Sequence, residues 1–122
     1  GDGVWFGQDV FVSDAGHGYQ DPDVPIGDQF GSHDPVVIGP GSWIGHGAIL
    51  LQGTRLGRNV VVAAGSVVRG EVPDHAIVAG TPARVVRRYE PGIGWVGRTG
   101  DVRPVVRADY LQDALTELRE RA

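Results

Sequence analysis

The sequence predicts an all-β solenoid of six-residue repeats, followed by a C-terminal α-helix. Three observations carry that prediction. Residues 38–73 divide without remainder into six hexads: IGPGSW, IGHGAI, LLQGTR, LGRNVV, VAAGSV and VRGEVP. Ile38, Ile44, Leu50, Leu56, Val62 and Val68 lead them, and Ser42, Ala48, Thr54, Val60, Ser66 and Val72 stand fifth, all small or β-branched. The same period runs through Phe6-Gly7-Gln8-Asp9-Val10-Phe11, stops at His17 and resumes near Val36, which predicts a loop thrown out of the repeat.

A short fixed period decides architecture before local propensity does. A helix places apolar residues three and four apart, and a half-buried strand places them two apart. Six suits a coil of triangular cross-section, with one hexad per side and eighteen residues per turn. The leading aliphatic then points to the axis. The fifth residue also points inward, where bulk would clash. Stacking should bury Ile38 over Leu56 and Ile44 over Val62, each side chain contributing roughly 1.5–3 kcal/mol. One hexad cannot bury its apolar side alone, so the repeats stand or fall together. Short strands of a sandwich would vary in length and lose the register.

Bulk properties agree with one such domain. Among 122 residues there are twenty Gly, as tight corners demand, and no Cys, so disulfides and thiolate chemistry are excluded. No apolar run is long enough to span a membrane and no signal peptide is visible, so a cytoplasmic protein is expected. The net charge of −4 is unevenly spread. Residues 1–54 hold seven Asp and no Arg, whereas residues 55–122 hold all eleven Arg and eight acids. The acidic half is a poor nucleic-acid surface. The basic half could meet a phosphorylated cofactor.

Taken in order, residues 1–4 read as the tail of a hexad without its leading aliphatic, so the chain is expected to be a fragment of a longer coil. Residues 17–35 are the ejected loop, rich in Pro and polar residues, and a long loop on a rigid solenoid is a usual place for chemistry. The coil is expected to run to Arg88, giving a β-helix domain over 1–88. Residues 89–106, with Pro91, several Gly and Trp95 and no period, are expected to form an irregular strap. Residues 107–122 are predicted to be a helix capped by Asp109, with Tyr110, Leu111, Ala114, Leu115 and Leu118 on one apolar stripe.

These repeats resemble the hexapeptide-repeat acyltransferases, whose fold is a left-handed parallel β-helix. Residues 1–88 carry the resemblance. Within that superfamily the chain is most similar to sugar O-acetyltransferases of the maltose, galactoside and nodulation type. The run D-x-x-H-x-Y-x-D-P-D-x-P-I from Asp14 to Ile26 resembles the segment in which that branch places its general base. His17 takes that position, and Asp14 and Tyr19 are expected to orient it or bind the acceptor. Ser-Trp43-Ile-Gly resembles the branch's contact beside the thioester of coenzyme A, and His46 falls on a position lining the pantetheine groove. Ala63-Ala64-Gly65-Ser66-Val67-Val68 resembles G-A-G-S-V-V, whose backbone holds the pantetheine arm. Where the family has Thr-Lys, this chain has Arg69-Gly70, so Arg69 is the candidate nucleotide contact. Gly80-Thr81-Pro82-Ala83-Arg84 matches G-x-P-A-[KR], and Arg84 and Arg87 are candidates for coenzyme A phosphates, since guanidinium pairs well with phosphate oxygens.

The resemblance thus implies acetyl-CoA as co-substrate, a sugar or similar small hydroxylated acceptor, no metal, no nucleic acid, no membrane insertion, and a homotrimer with sites between subunits. The chemistry needs a His. A sugar hydroxyl is a weak nucleophile and must lose its proton as it attacks the thioester; imidazole titrates near neutrality and can take it. His33 reads as a solvated loop residue and His75 as part of a variable corner. Two other readings remain: a non-catalytic scaffold, and a zinc hydratase like the γ-type carbonic anhydrases. The hydratases pair two His a few residues apart, but the His spacings here are 16, 13 and 29.

Overall fold

The computed structural model describes the backbone of residues 1–122 and every side chain except those of Tyr110 and Leu111. The elements in chain order are β1 (Trp5–Phe6), β2 (Phe11–Val12), β3 (Ala15–Gly16), a 3-10 turn (Ile26–Asp28) and β4 (Ser32–His33). Then come β5 (Val37–Ile38), β6 (Trp43–Ile44), β7 (Ile49–Leu50), β8 (Arg55–Leu56), β9 (Val61–Val62), β10 (Val67–Val68) and β11 (Glu71–Val72). Longer elements finish the chain: β12 (Ala76–Gly80), β13 (Ala83–Glu90), β14 (Gly94–Gly97), β15 (Val102–Arg103) and α1 (Ala108–Arg121).

The two-residue strands stack in parallel as three sheets. One holds β1, β6, β9 and β12; a second holds β2, β7 and β10; the third holds β5, β8 and β11. Ile38 pairs with Leu56, Ile44 with Val62 and Leu50 with Val68, so one turn takes eighteen residues. Ile44, Leu50 and Val62 are fully buried, as are Ala48 and Val60 from the fifth positions. The buried hydroxyls at that position are satisfied within the coil. Ser42 accepts from the Val60 N–H at 3.1 Å, Thr54 lies 2.6 Å from the Leu51 carbonyl, and Ser66 accepts from the Gly80 N–H at 3.2 Å. A buried hydroxyl without such a partner would cost about 1–3 kcal/mol.

The corners explain the glycines. Gly41, Gly47, Gly53 and Gly65 all have φ between +67° and +76°, and Asn59 holds the same position at +49°. These residues recur every six places, because each corner needs one left-handed residue and Gly adopts it without steric cost.

The hexad register slips once. The corner after β10 is two residues short, and Val72 pairs with Leu56, sixteen residues back rather than eighteen. Val72 is therefore a leading residue, not the fifth-position residue that strict spacing assigns. The new phase continues: Ala76 is fully buried in the fifth place, and Val78 pairs with Val62.

Residues 89–106 depart from the expected irregular strap. β13 turns back antiparallel on β12, then β14 and β15 add in sequence, so the sheet grows outward as a meander. Alternate pairing replaces the sixfold repeat, and period six gave no sign of it. Arg87 locks this region. Its guanidinium donates to the Trp95 carbonyl at 2.8 Å and pairs with the Asp101 carboxylate at 2.5 Å. Tyr89 packs between His75 and Trp95, with ring centroids 6.0 and 5.7 Å away.

Helix α1 begins one residue later than expected, and Arg107 holds the cap position without a side-chain cap bond. Asp109 lies inside the first turn, where its carboxylate still faces the positive end of the helix dipole. Leu115 and Leu118 are 50% and 63% exposed, so they are not buried against the coil. Tyr110 and Leu111, the start of the expected stripe, lie outside the described side chains.

Candidate active site

The loop leaves the coil at one corner. Trp5 pairs with Trp43, thirty-eight residues on, because twenty extra residues intervene between β2 and β5. Its base is a small antiparallel pair, Ala15 opposite His33 and Gly16 opposite Ser32. The Asp34 N–H donates to the Asp14 carbonyl at 2.9 Å, and the Gly53 N–H to the Asp34 carbonyl at 3.0 Å. The Ser32 hydroxyl donates to Gln52 Oε1 at 3.1 Å. These bonds tie the loop base to the corner that follows β7.

The tip is held by one side chain. Gln29 Nε2 donates to the carbonyls of Asp21 and Val24 at 2.9 and 2.8 Å, and Oε1 accepts from the Asp21 N–H at 3.1 Å. Three bonds from one amide close the segment 21–29 on itself.

Between loop and coil lies a cavity of about 550 Å³. Phe11 and Leu51 give it an apolar wall, and Ser13, His17, Gln29 and His33 give it polar groups. The polar groups differ in what they have to spare. The Ser13 hydroxyl is engaged with Ala15 and the Gln29 amide with the loop. Among the described residues, neither the His17 nor the His33 imidazole has a hydrogen-bond partner within the chain. Both rings are exposed to the cavity.

The expected acceptor contacts are not assembled around His17. Asp14 contributes its carbonyl to the loop base, and Tyr19 is 72% exposed; neither side chain is hydrogen-bonded to His17. His33, expected to be a solvated loop residue, is exposed and also lines the same cavity. Only the register of β3 with β4 puts it there, and that register is invisible to a repeat search.

The candidate cofactor residues fall into separate groups. His46 and Ala64 occupy successive layers of one corner, where the Gly65 N–H donates to the His46 carbonyl at 2.8 Å. The neighbouring Gly45 leaves no room for a side chain, since a Cβ there would meet the Ala64 nitrogen at 2.7 Å. Trp43 stands just before that corner on the outer face, 56% exposed, with Trp5 beside it in register at 75%. Arg69 is exposed at the next corner, after β10. Arg84 is exposed on β13, whereas Arg87 is directed inward to Trp95 and Asp101. The sheet β2–β7–β10 lies between the His46–Ala64 corner and the corner that carries the His17 cavity.

Residues 35–70 match the family model described as bacterial transferase hexapeptide, six repeats. The chain belongs to the hexapeptide-repeat superfamily. A probable acetyltransferase of Mycobacterium tuberculosis is 41% identical over 90 residues, covering 74% of this hexapeptide-repeat chain and 30% of that protein. The crystal structure of a maltose O-acetyltransferase from Clostridium difficile is similar with a TM-score of 0.66 and 35% identity, over 73% of this chain and 46% of that one. A hexapeptide-repeat acetyltransferase of Vibrio cholerae, solved in complex with acetyl coenzyme A, has a TM-score of 0.66 and 33% identity, over 73% and 48%. The chain spans less than half the length of each of these three relatives. Among the described residues no group of three His, Cys, Asp or Glu is placed to hold a metal ion, and no helix is long and apolar enough to cross a membrane.

Proposed function

We propose that the chain is the coil of an acetyl-CoA-dependent O-acetyltransferase, a left-handed parallel β-helix acting on a hydroxyl of a sugar or similar small acceptor. His17 is the general base. The observation that carries this reading is an imidazole with no internal partner, facing a cavity at the root of an ejected loop, on a coil whose solved relatives include a maltose O-acetyltransferase and an acetyltransferase bound to acetyl coenzyme A.

The reaction forms an ester bond and breaks a thioester bond. The acceptor oxygen attacks the acetyl carbonyl while His17 takes its proton. The tetrahedral intermediate collapses, the sulfur departs with the bonding pair, and the proton passes from imidazole to sulfur. No covalent enzyme intermediate is required.

Trp43, His46, Ala64, Arg69 and Arg84 are the proposed cofactor contacts, and Asp14 and Tyr19 the proposed acceptor contacts. Arg87 is a weaker candidate for phosphate, because its guanidinium is already engaged. The separation of His17 from the His46–Ala64 corner within one chain favours a homotrimer, in which a cleft between subunits joins the His17 cavity of one to the cofactor corner of the next. The proposed domain limits remain 1–88 for the coil and 107–122 for the helix, with the meander between.

His17→Ala tests the reading. It should lower acetyl transfer by roughly 10²–10⁴-fold, while calorimetric affinity for acetyl-CoA stays within about twofold. Full turnover in the variant would remove His17 from the mechanism. A trimer that binds no acetyl-CoA would favour a non-catalytic scaffold.

A further inference from the structure

We infer that His33 is a specificity-determining residue of the same cavity, fixing a second hydroxyl of the acceptor beside the one that reacts. The inference rests on the proposed acetyltransferase reading and adds to it the part of the acceptor recognised.

The geometry comes from the loop base. β3 and β4 pair antiparallel with Ala15 opposite His33. His17 follows β3 by one residue, and Gly31 precedes β4 by one. Both His line the cavity. Gly31 lies where a Cβ would meet the Gly16 carbonyl oxygen at 2.7 Å, so no larger residue fits at that point of the loop base. Diagonal neighbours across an antiparallel pair are about 7–8 Å apart, still within reach of long side chains. That span suits two hydroxyl-bearing positions of one small ring.

The remaining polar groups narrow the choice. Ser13 and Gln29 spend their hydrogen bonds on the loop itself. The Ser13 O–H and both Gln29 N–H donors are used within the loop, leaving those two groups acceptor sites alone, whereas both imidazoles are without a partner among the described residues. One must accept a proton for transfer; the other can donate to, or accept from, a neighbouring hydroxyl. Phe11, 57% exposed, and Leu51 offer an apolar surface to a ring face. The ligand class is therefore a ring with one apolar face and adjacent hydroxyls. A site built to hydrogen-bond a hydroxyl discriminates against analogues lacking it, because the protein group is then left unpaired.

The experiment measures acetyl transfer to glucose, galactose, N-acetylglucosamine and maltose by the purified chain, and carries the best acceptor forward. His33→Ala should raise the acceptor KM by about tenfold, the size expected for one lost hydrogen bond, with kcat falling less than KM rises and acetyl-CoA affinity unchanged. His33→Gln, which keeps a donor and an acceptor, should recover most of the loss. An unchanged KM in His33→Ala, while His17→Ala is inactive, overturns this inference and leaves the acetyltransferase reading standing. A fall in kcat with KM unchanged also overturns it, by placing His33 in proton transfer. Absence of transfer to every sugar, or full activity in His17→Ala, overturns the underlying reading and this inference with it.

Discussion

The coil and its ejected loop are held together by opposite means. In the coil, Ile44, Leu50, Val60 and Val62 are fully buried, and stacked strands pair one above the next in register. In residues 17–35 only Gly18 is buried, and shape comes from single polar bonds such as those of Gln29. Burial is non-directional and cumulative, so the coil tolerates drift in any one corner. The two-residue slip at Val72 shows this, since the stack resumes with Ala76 and Val78 in place. A loop built on a few directional bonds has no such reserve. It can present polar groups that the coil would have to bury, and it can lose its shape to one substitution. The division places a rigid wall on one side of the cavity and, on the other, the loop imidazoles that the proposed reaction would use.

Leu50→Ala should break the coil side of this contrast with the largest effect. Leu50 is fully buried and pairs with both Val12 and Val68. Removing its side chain leaves a cavity between layers, and such changes cost about 2–5 kcal/mol. The midpoint of chemical denaturation should fall accordingly for the whole coil, with no separate early transition, because the repeats share one core. A change confined to neighbouring turns would show that the layers are energetically independent.

The same contrast decides what could be read in advance. Ile38 over Leu56 and Ile44 over Val62 follow from spacing alone, since burial responds to a period and a period is visible in sequence. The slip at Val72 was not visible, because VRGEVP fits either phase and only the short corner at Gly70 selects one. His17 was legible as a residue at the root of the ejected loop, where the structure sets it in the cavity. His33 was not, because its place depends on its pairing with Ala15, eighteen positions earlier in the chain. Arg87 read as a free cation in a basic cluster. The structure turns it inward, because the meander of β13 to β15 supplies Trp95 and Asp101 as acceptors, and that meander has no repeat to announce it. Asp109 missed the cap by two residues, within the usual uncertainty of a helix end.

Gln29→Ala sharpens the loop side with a smaller effect. Three hydrogen bonds disappear, each worth about 0.5–1.5 kcal/mol net, but the residues they hold are almost all exposed. The coil should therefore keep its denaturation midpoint to within about 0.5 kcal/mol, as surface substitutions usually do. Amide exchange at Asp21 should accelerate, because its N–H loses its acceptor. Turnover should fall with it if the loop shapes the cavity. A large drop in global stability would mean that the loop and coil form one cooperative unit, against the contrast drawn above.

The smallest effect belongs to the meander, which combines both strategies. Arg87 is largely shielded in the fold, and Asp101 is at the surface. The Arg87 guanidinium first, and then the Thr99 hydroxyl, hold the Asp101 carboxyl below its ordinary value of 3.8. A carboxylate whose folded pKa is depressed stabilises the fold above its unfolded pKa, and that contribution is lost as pH falls through the folded value. Acidification below about pH 4 should therefore loosen the contact between β14 and the Asp101 turn. Because the carboxyl is solvent-exposed, the loss is local. The Gly97 N–H, which donates to the Asp101 carbonyl at 2.8 Å, is the reporter. Its NMR shift should titrate with a midpoint below 3.8 in the parent chain and should not titrate in Asp101→Asn. Amides of the buried coil, such as Val62, should not move over the same range. A titrating Val62 would mean that the meander is coupled to the core through β12, so that a surface ion pair reaches the coil's packing. A flat Gly97 in the parent would remove the Arg87–Asp101 pair from any role in holding the turn.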